Sequence, residues 1–257
     1  MNNTFDFNRF SLLLKKELWS GNKKSLIIAG AIFGFLILIA LLQIYWSGGY
    51  EGMNWNMFPL IILGGGLIFT SVIFYEFNDK TGTHHYLSLP ASTFEKFLSK
   101  WLITAVLFPI IASFLFWVYA KIGDAIYFNH VSETFYTPWK LTDWWSIFFI
   151  KLYIVYQSTF LIGAIVFQKY TFFKTSVVHW IYTIVSMVIT AILFRIIFAN
   201  MFDGLFSINQ DLNIQTSNEV IHFMENKFLS ILEFALWFLV PPIMWVVGFF
   251  KLKEKEA

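Results

Sequence analysis

The chain has 257 residues, 58% of them hydrophobic and only 13% charged, with a mean hydropathy of +0.64. A soluble domain is about one quarter charged, so a water-dissolved globular protein is excluded, and a net charge of +2 offers nucleic acid no attractive field. The absence of cysteine excludes disulfides, thiolate metal sites and cysteine nucleophiles, without deciding the redox compartment.

Residues 1–24 do not read as a signal peptide, which has a short basic start, an apolar core and a small-residue cleavage site. Phe7, Phe10, Leu14 and Leu18 fall on one helical stripe, with Arg9 and Lys16 opposite and Leu12 and Trp19 off the stripe. This predicts an amphipathic helix lying in the membrane interface, with Lys15, Lys16, Lys23 and Lys24 near anionic head groups. The alternative is a cytosolic tail that carries topogenic charge.

Six apolar runs near the roughly 20 residues needed to cross a bilayer follow. They cover 25–46, 57–77, 100–120, 147–168, 176–199 and 228–250, and a short tail, 251–257, comes after them. With the N-terminus inside, the cytoplasmic side holds Arg9, Lys15, Lys16, Lys23, Lys24, Lys80, Lys96, Lys100, Lys169, Lys174, Lys251, Lys253 and Lys255. The other side holds Lys121, Lys140 and Lys227. That bias places both termini in the cytoplasm. Tyr45, Trp46, Trp101, Trp139, Trp144 and Trp145 are expected in interfacial belts. The expected fold is therefore an all-α polytopic membrane protein: six transmembrane helices, an N-terminal interfacial helix and both termini cytoplasmic. No repeat relates the two halves, so an inverted-repeat transporter gains no support.

The connection 78–99 is the one substantial polar interruption between the second and third spans. Ser92 and Glu95 read as a capping box that starts a helix near Thr93, and Pro90 cannot continue a preceding helix. The second span is expected to overshoot to about Asp79. Residues 81–89, which include Gly82, His84, His85 and Tyr86, have room for one short helical segment. A short helix across the ends of two membrane helices is a shape a soluble motor could push; an ordinary polar loop is the plainer reading. His84 and His85 do not suggest a metal, because neighbours on a helix point about 100° apart and a site needs three or four ligands.

Lys151, Arg195 and Glu233 fall within spans, each roughly 6 Å from the external end at 1.5 Å per residue. Intramembrane charge is a functional-site hypothesis by default; the competing readings are a structural ion pair and snorkelling to the interface. Gly64, Gly65 and Gly66 suit close helix approach or a bend, not a phosphate loop, because no Lys and Ser/Thr follow. Pro109 and the pair Pro241 and Pro242 are expected to kink spans three and six. Gln43 and Gln157 could join helices or line a pathway. No HExxH or GxSxG motif and no pair of intramembrane Asp residues is present, so intramembrane proteolysis has little support.

Leu89, Pro90, Ser92 and Lys100, with Gly82 upstream, form a pattern similar to the loop between spans two and three in permease subunits of ABC-2-type ATP-binding-cassette exporters. The stretch from Phe7 to Leu18, with the basic-acidic run Lys15, Lys16, Glu17, also resembles the amphipathic entrance of that family. The resemblance implies a multi-pass protein of a bacterial inner membrane that works as a dimer with an identical or related permease chain. It implies that a separate ABC-type ATPase subunit, carrying ATP and magnesium, docks on loop 78–99. Asp79, Gly82, His84, His85, Tyr86, Leu89, Pro90, Ser92, Glu95 and Lys100 would form the coupling site, and Arg9, Lys15, Lys16 and Glu17 the interfacial helix. The chain itself has no Walker A motif, catalytic site, cofactor or metal to offer. Export is implied by the resemblance alone. The segment before span six departs from the family in being polar. Two other readings stand beside it: a non-transporting scaffold of a larger membrane assembly, and a membrane-embedded lipid-modifying enzyme using His84, His85 and Asp79.

Overall fold

The computed structural model describes residues 5–20, 42, 57–78, 80–128, 139–167, 169–197 and 233–256. They are helical throughout, with no strand among them. Helix α1 is Phe7–Ser20, α2 is Met57–Val72, and a 3₁₀ turn follows at Tyr75–Asn78. A short α3 (Lys80–Leu87) leads to α4 (Thr93–Trp101), which runs through a π-helical stretch into α5 (Phe108–Phe128). Then come α6 (Trp144–Val166), α7 (Thr171–Ile197) and, after a second π-helical stretch, α8 (Val240–Glu256).

Four of the six expected spans appear as helices long and apolar enough to cross a membrane: Thr93–Ile122, Trp144–Val166, Thr171–Leu193 and Ala235–Glu256. The second span is present as the shorter apolar helix Met57–Val72. The first, apart from Leu42, lies outside the described residues, as do Gln43, Tyr45, Trp46 and the connections 47–56 and 200–227, which were expected to be external.

Helix α6 is the centre of the bundle, packed against both α2 and α8. One core cluster, around Phe58, Ile62, Phe116, Trp139 and Tyr153, lies toward its N-terminal half. The other, around Phe74, Phe77, Tyr86, Phe97, Leu161, Ile165 and Leu252, closes its C-terminal end. Two of the tryptophans expected in interfacial belts pack against these cores. Trp139 is buried with its ring centroid 5.2 Å from Phe58 and 4.9 Å from Phe116, and Trp101 meets Trp245 edge-on at 5.1 Å.

Among the described residues α7 packs on α6 and α2, and near its start Gly163 of α6 leaves no room for a Cβ beside Thr175. None of its apolar window is buried, and Trp180, Tyr182, Met187 and Ile196 face outward. So large an apolar surface is stable only against another apolar phase, which agrees with a multi-pass membrane protein. Several hydroxyls inside the bundle are satisfied within their own helix, as a hydrocarbon surrounding favours. Thr70, Ser71 and Thr104 return their hydroxyls to carbonyls four residues back.

The prolines act through the helical ladder. A proline ring collides with the carbonyl four residues before it; for Pro109 that is Ala105, and for Pro241 and Pro242 it is Trp237 and Phe238. All lie in the π-helical stretches Leu102–Leu107 and Ala235–Leu239, whose wider turns relieve the collision. Of the three consecutive glycines, only Gly66 serves close approach: a Cβ there would stand 2.7 Å from Phe108 and collide with the Tyr153 ring, whereas Gly64 faces open space.

Candidate functional site

The polar loop, helix α1 and the last turns of α8 converge beyond the C-terminal end of α6. Helix α2 stops at Val72 and does not overshoot: Ile73 and Phe74 turn, and Tyr75–Asn78 continues as a tight 3₁₀ coil. The turn drives Phe74 and Phe77 into the core, stacked at 5.5 Å with the rings within 3° of parallel. Asp79 lies outside the described residues. Helix α3 then forms within the segment where a short helix was expected. Gly82 is required there, since a Cβ would stand 2.6 Å from the Glu76 carbonyl oxygen.

Tyr86 points inward from α3 and is buried, edge-on to Phe77 at 5.3 Å and Phe74 at 6.2 Å. Burial pushes its phenol well above the ordinary range, and the carboxylates of Glu17, Glu76 and Glu256 push in the same direction. Its hydroxyl has no hydrogen-bond partner among the described residues. The opposite edge of α3 presents Thr81, His84 and Ser88 outward, and Pro90 is exposed after it. His85 belongs to the same helix. Leu89 packs against the inner cluster.

The start of α4 is the capping box that the sequence predicts. The Glu95 amide donates to Ser92 Oγ at 3.2 Å, and Glu95 Oε2 accepts from the Ser92 amide at 2.8 Å. Such a cap contributes about 1 kcal/mol. The other carboxylate oxygen, Glu95 Oε1, reaches α1, where it accepts from the Asp6 amide at 2.7 Å and from the Arg9 guanidinium at 3.0 Å. Glu95 therefore pins the N-terminal helix to the loop.

Two lysines one turn apart on α4 complete the network. Lys100 bridges Glu17 on α1 at 2.6 Å and Glu76 on the 3₁₀ turn at 3.0 Å. Lys96 bridges Glu256 at the end of α8 at 2.9 Å, and Glu256 also accepts from the Thr93 hydroxyl. Both ammoniums face the Tyr86 ring, 5.7 Å from its centroid for Lys96 and 5.5 Å for Lys100, a favourable placement for a desolvated cation. Lys96 and Lys100 are 2% and 1% exposed, so these are buried pairs, and removing one partner of such a pair costs about 3–5 kcal/mol.

The expected site residues thus separate into two groups. Arg9, Glu17, Gly82, Tyr86, Leu89, Ser92, Glu95 and Lys100 come together in one constellation, with Tyr86, Glu95 and Lys100 buried and the others half-buried around them. Lys15 and Lys16 are exposed on the far side of α1, and His84 and Pro90 are exposed on the loop. The amphipathic stripe expected in α1 is rotated: Phe10 and Leu13 are buried against the loop, while Phe7 and Leu18 stay exposed. Glu76, Lys96 and Glu256 were not singled out from the sequence. Nor were residues 251–256 expected to be the last turns of a packed helix, with Leu252 fully buried. The available signal was the Lys96/Lys100 spacing, which puts both on one helical face.

A second polar set crosses the bundle interior. Tyr153 Oη donates to the Thr104 carbonyl at 2.7 Å, Gln157 Nε2 to Thr104 Oγ1 at 2.9 Å, and Trp245 Nε1 to Gln157 Oε1 at 3.1 Å. Gln157 on α6 therefore joins the π-helical entry to α5 with α8. Lys151 and Glu233 are exposed on their helices and Arg195 is half-buried; none of the ion pairs described above involves them. Among the described residues no group of three or more His, Asp or Glu side chains is placed to hold a metal.

No protein-family model, curated protein or solved structure matches this chain.

Proposed function

We propose that this chain is the membrane-spanning subunit of an ABC-2-type exporter, with α3 as the element on which a separate ATPase subunit docks. The observation that carries the reading is the mounting of α3. A short helix with one outward edge (Thr81, His84, Ser88) sits between two apolar helices, and its inward residue, Tyr86, faces the two ammoniums that hold α1 and α8. A displacement of α3 would be felt at Lys96 and Lys100, and through them in α4–α5, α1 and α8 at once. Close-packed side chains pass such a displacement on without being compressed.

In this reading the network lies on the cytoplasmic side of a bacterial inner membrane, where the excess of Lys and Arg belongs. The ATPase subunit supplies the ATP and magnesium chemistry, and two permease chains, identical or related, form the path. The outward apolar faces of α5 and α7 meet lipid or the second chain.

Copurification tests it. The tagged chain, expressed in its native host, is expected to bring an ABC-type ATPase subunit down from detergent-solubilised membranes. Replacement of residues 81–89 by a Gly/Ser segment of equal length is expected to abolish recovery while leaving the chain in the membrane. Retention of the ATPase by the replaced chain would remove α3 as the docking element. Absence of any ATPase from the parent complex would favour a scaffold role.

A further inference from the structure

We infer that the last turns of α8 are a strap over the charged cluster, locked by the carboxylate of Glu256 onto Lys96 and Thr93. The alternation along the segment carries this. Leu252, Lys255 and Glu256, spaced i, i+3 and i+4, turn inward on one face. Leu252 is fully buried in the cluster of Phe74, Phe77 and Tyr86. The Lys255 ammonium donates to the Ile165 carbonyl near the end of α6 and stands 4.7 Å above the Phe77 ring. Glu256 accepts from Lys96 and Thr93 at the start of α4. Lys251, Lys253 and Glu254 turn outward, Lys251 and Glu254 pairing at the surface at 2.7 Å.

The strap thus joins three elements, α6, α4 and the 3₁₀ turn, that are far apart in sequence. Its lock is asymmetric. The Lys96 side chain is 2% exposed, while that of Glu256 is 16% exposed, so water reaches the carboxylate before it reaches the ammonium. Breaking the pair releases the end of α8 from α4 and uncovers Leu252 and the Tyr86 cluster beneath. The placement of Glu256 makes it a positioning residue: it touches no substrate and holds the helix end in place. The acidic side chains of Glu254 and Glu256 differ in direction, outward against inward, which gives an internal control.

The test uses the full chain in native membranes and exploits its lack of cysteine. Leu252→Cys is labelled with a water-soluble maleimide in the parent, Glu256→Gln and Glu254→Gln backgrounds, in membranes opened to give the reagent access to both faces. The thiol is expected to react slowly in the parent and in Glu254→Gln. In Glu256→Gln it is expected to react roughly tenfold faster or more, the factor that loss of one charged hydrogen bond supports, and Lys96→Gln should match it with no further gain in the double variant. Equal labelling in the Glu256→Gln and Glu254→Gln backgrounds would overturn the lock. Should Leu252→Cys disturb the packing, limited trypsin cleavage at Lys253 and Lys255 of the two Gln variants without the cysteine reads the same opening. Faster cleavage there in Glu256→Gln supports the strap, and equal rates overturn it. No ATPase enters the assay, so its failure leaves the transporter reading untouched, and the converse holds as well.

Discussion

The Lys100 ammonium lies 2.6 Å from Glu17, 83 residues earlier in the chain, and the pair is almost wholly out of water. It ties the helix that precedes the first apolar run to the helix that enters the third. Glu76 accepts from the same ammonium at 3.0 Å, so one cation holds three segments. An arrangement of this kind contributes more to specifying one geometry than to raw stability, because desolvation of the charges offsets most of their attraction.

Lys100→Met therefore leaves two carboxylates, Glu17 and Glu76, at a buried position without their shared cation. The expected loss is about 3–5 kcal/mol. Thermal unfolding in detergent should show Lys100→Met well below Lys15→Met, which removes an exposed charge of α1. Equal melting temperatures for the two variants would contradict the network.

At the cap, Ser92→Ala and Glu95→Ala separate two roles. Loss of the serine hydroxyl removes one bond to the helix start and should cost about 1 kcal/mol. Loss of Glu95 also releases the Asp6 amide and Arg9 and should cost about 3 kcal/mol or more. Protease sensitivity of residues 5–20 should rise in Glu95→Ala and stay at the parent level in Ser92→Ala.

Tyr86 predicts a pH dependence with a definite sign. Its folded-state pKa is raised, so the neutral phenol is favoured by folding. The stabilisation is full below the unfolded value of about 10 and is lost as pH rises from there toward the folded value. Tyr86→Phe removes that alkaline loss. Because the buried hydroxyl has no partner among the described residues, the substitution should cost less than about 1 kcal/mol at pH 7. Unfolding curves of the two proteins at neutral pH and above pH 10 check both statements.

Glycine substitutions provide a contrast of packing alone. Gly64→Ala meets nothing within 4 Å and should be silent, whereas Gly66→Ala collides with the Phe108 and Tyr153 rings. Overpacking of this kind costs typically about 1–3 kcal/mol. A comparison of folded yield after detergent extraction distinguishes them.

The interior hydrogen bonds are tested by the cycle Gln157→Leu, Trp245→Phe and the double variant. Interhelical bonds in membrane proteins give coupling of about 0.6 kcal/mol and at most about 1.7. A value in that range is expected for the 3.1 Å contact, and additivity within error would show that the indole and the amide act separately.

What could be read along the chain was whatever local chemistry dictates. The apolar runs, the Ser92–Glu95 cap and the short helix after Lys80 each depend on a few consecutive residues, and a hydrophobic stretch must leave water whatever lies around it. The face of α4 shows the limit of such reading. Glu95, Lys96, Ser99 and Lys100 form a polar stripe that local reasoning turns toward solvent, yet that stripe is buried and Phe94 is exposed. A buried lysine is tolerated only where a carboxylate meets it, and Glu17, Glu76 and Glu256 arrive from three distant segments. Only the tertiary structure decided that they do, turning a loop that looked like a lone docking element into the place where α1 and α8 are held.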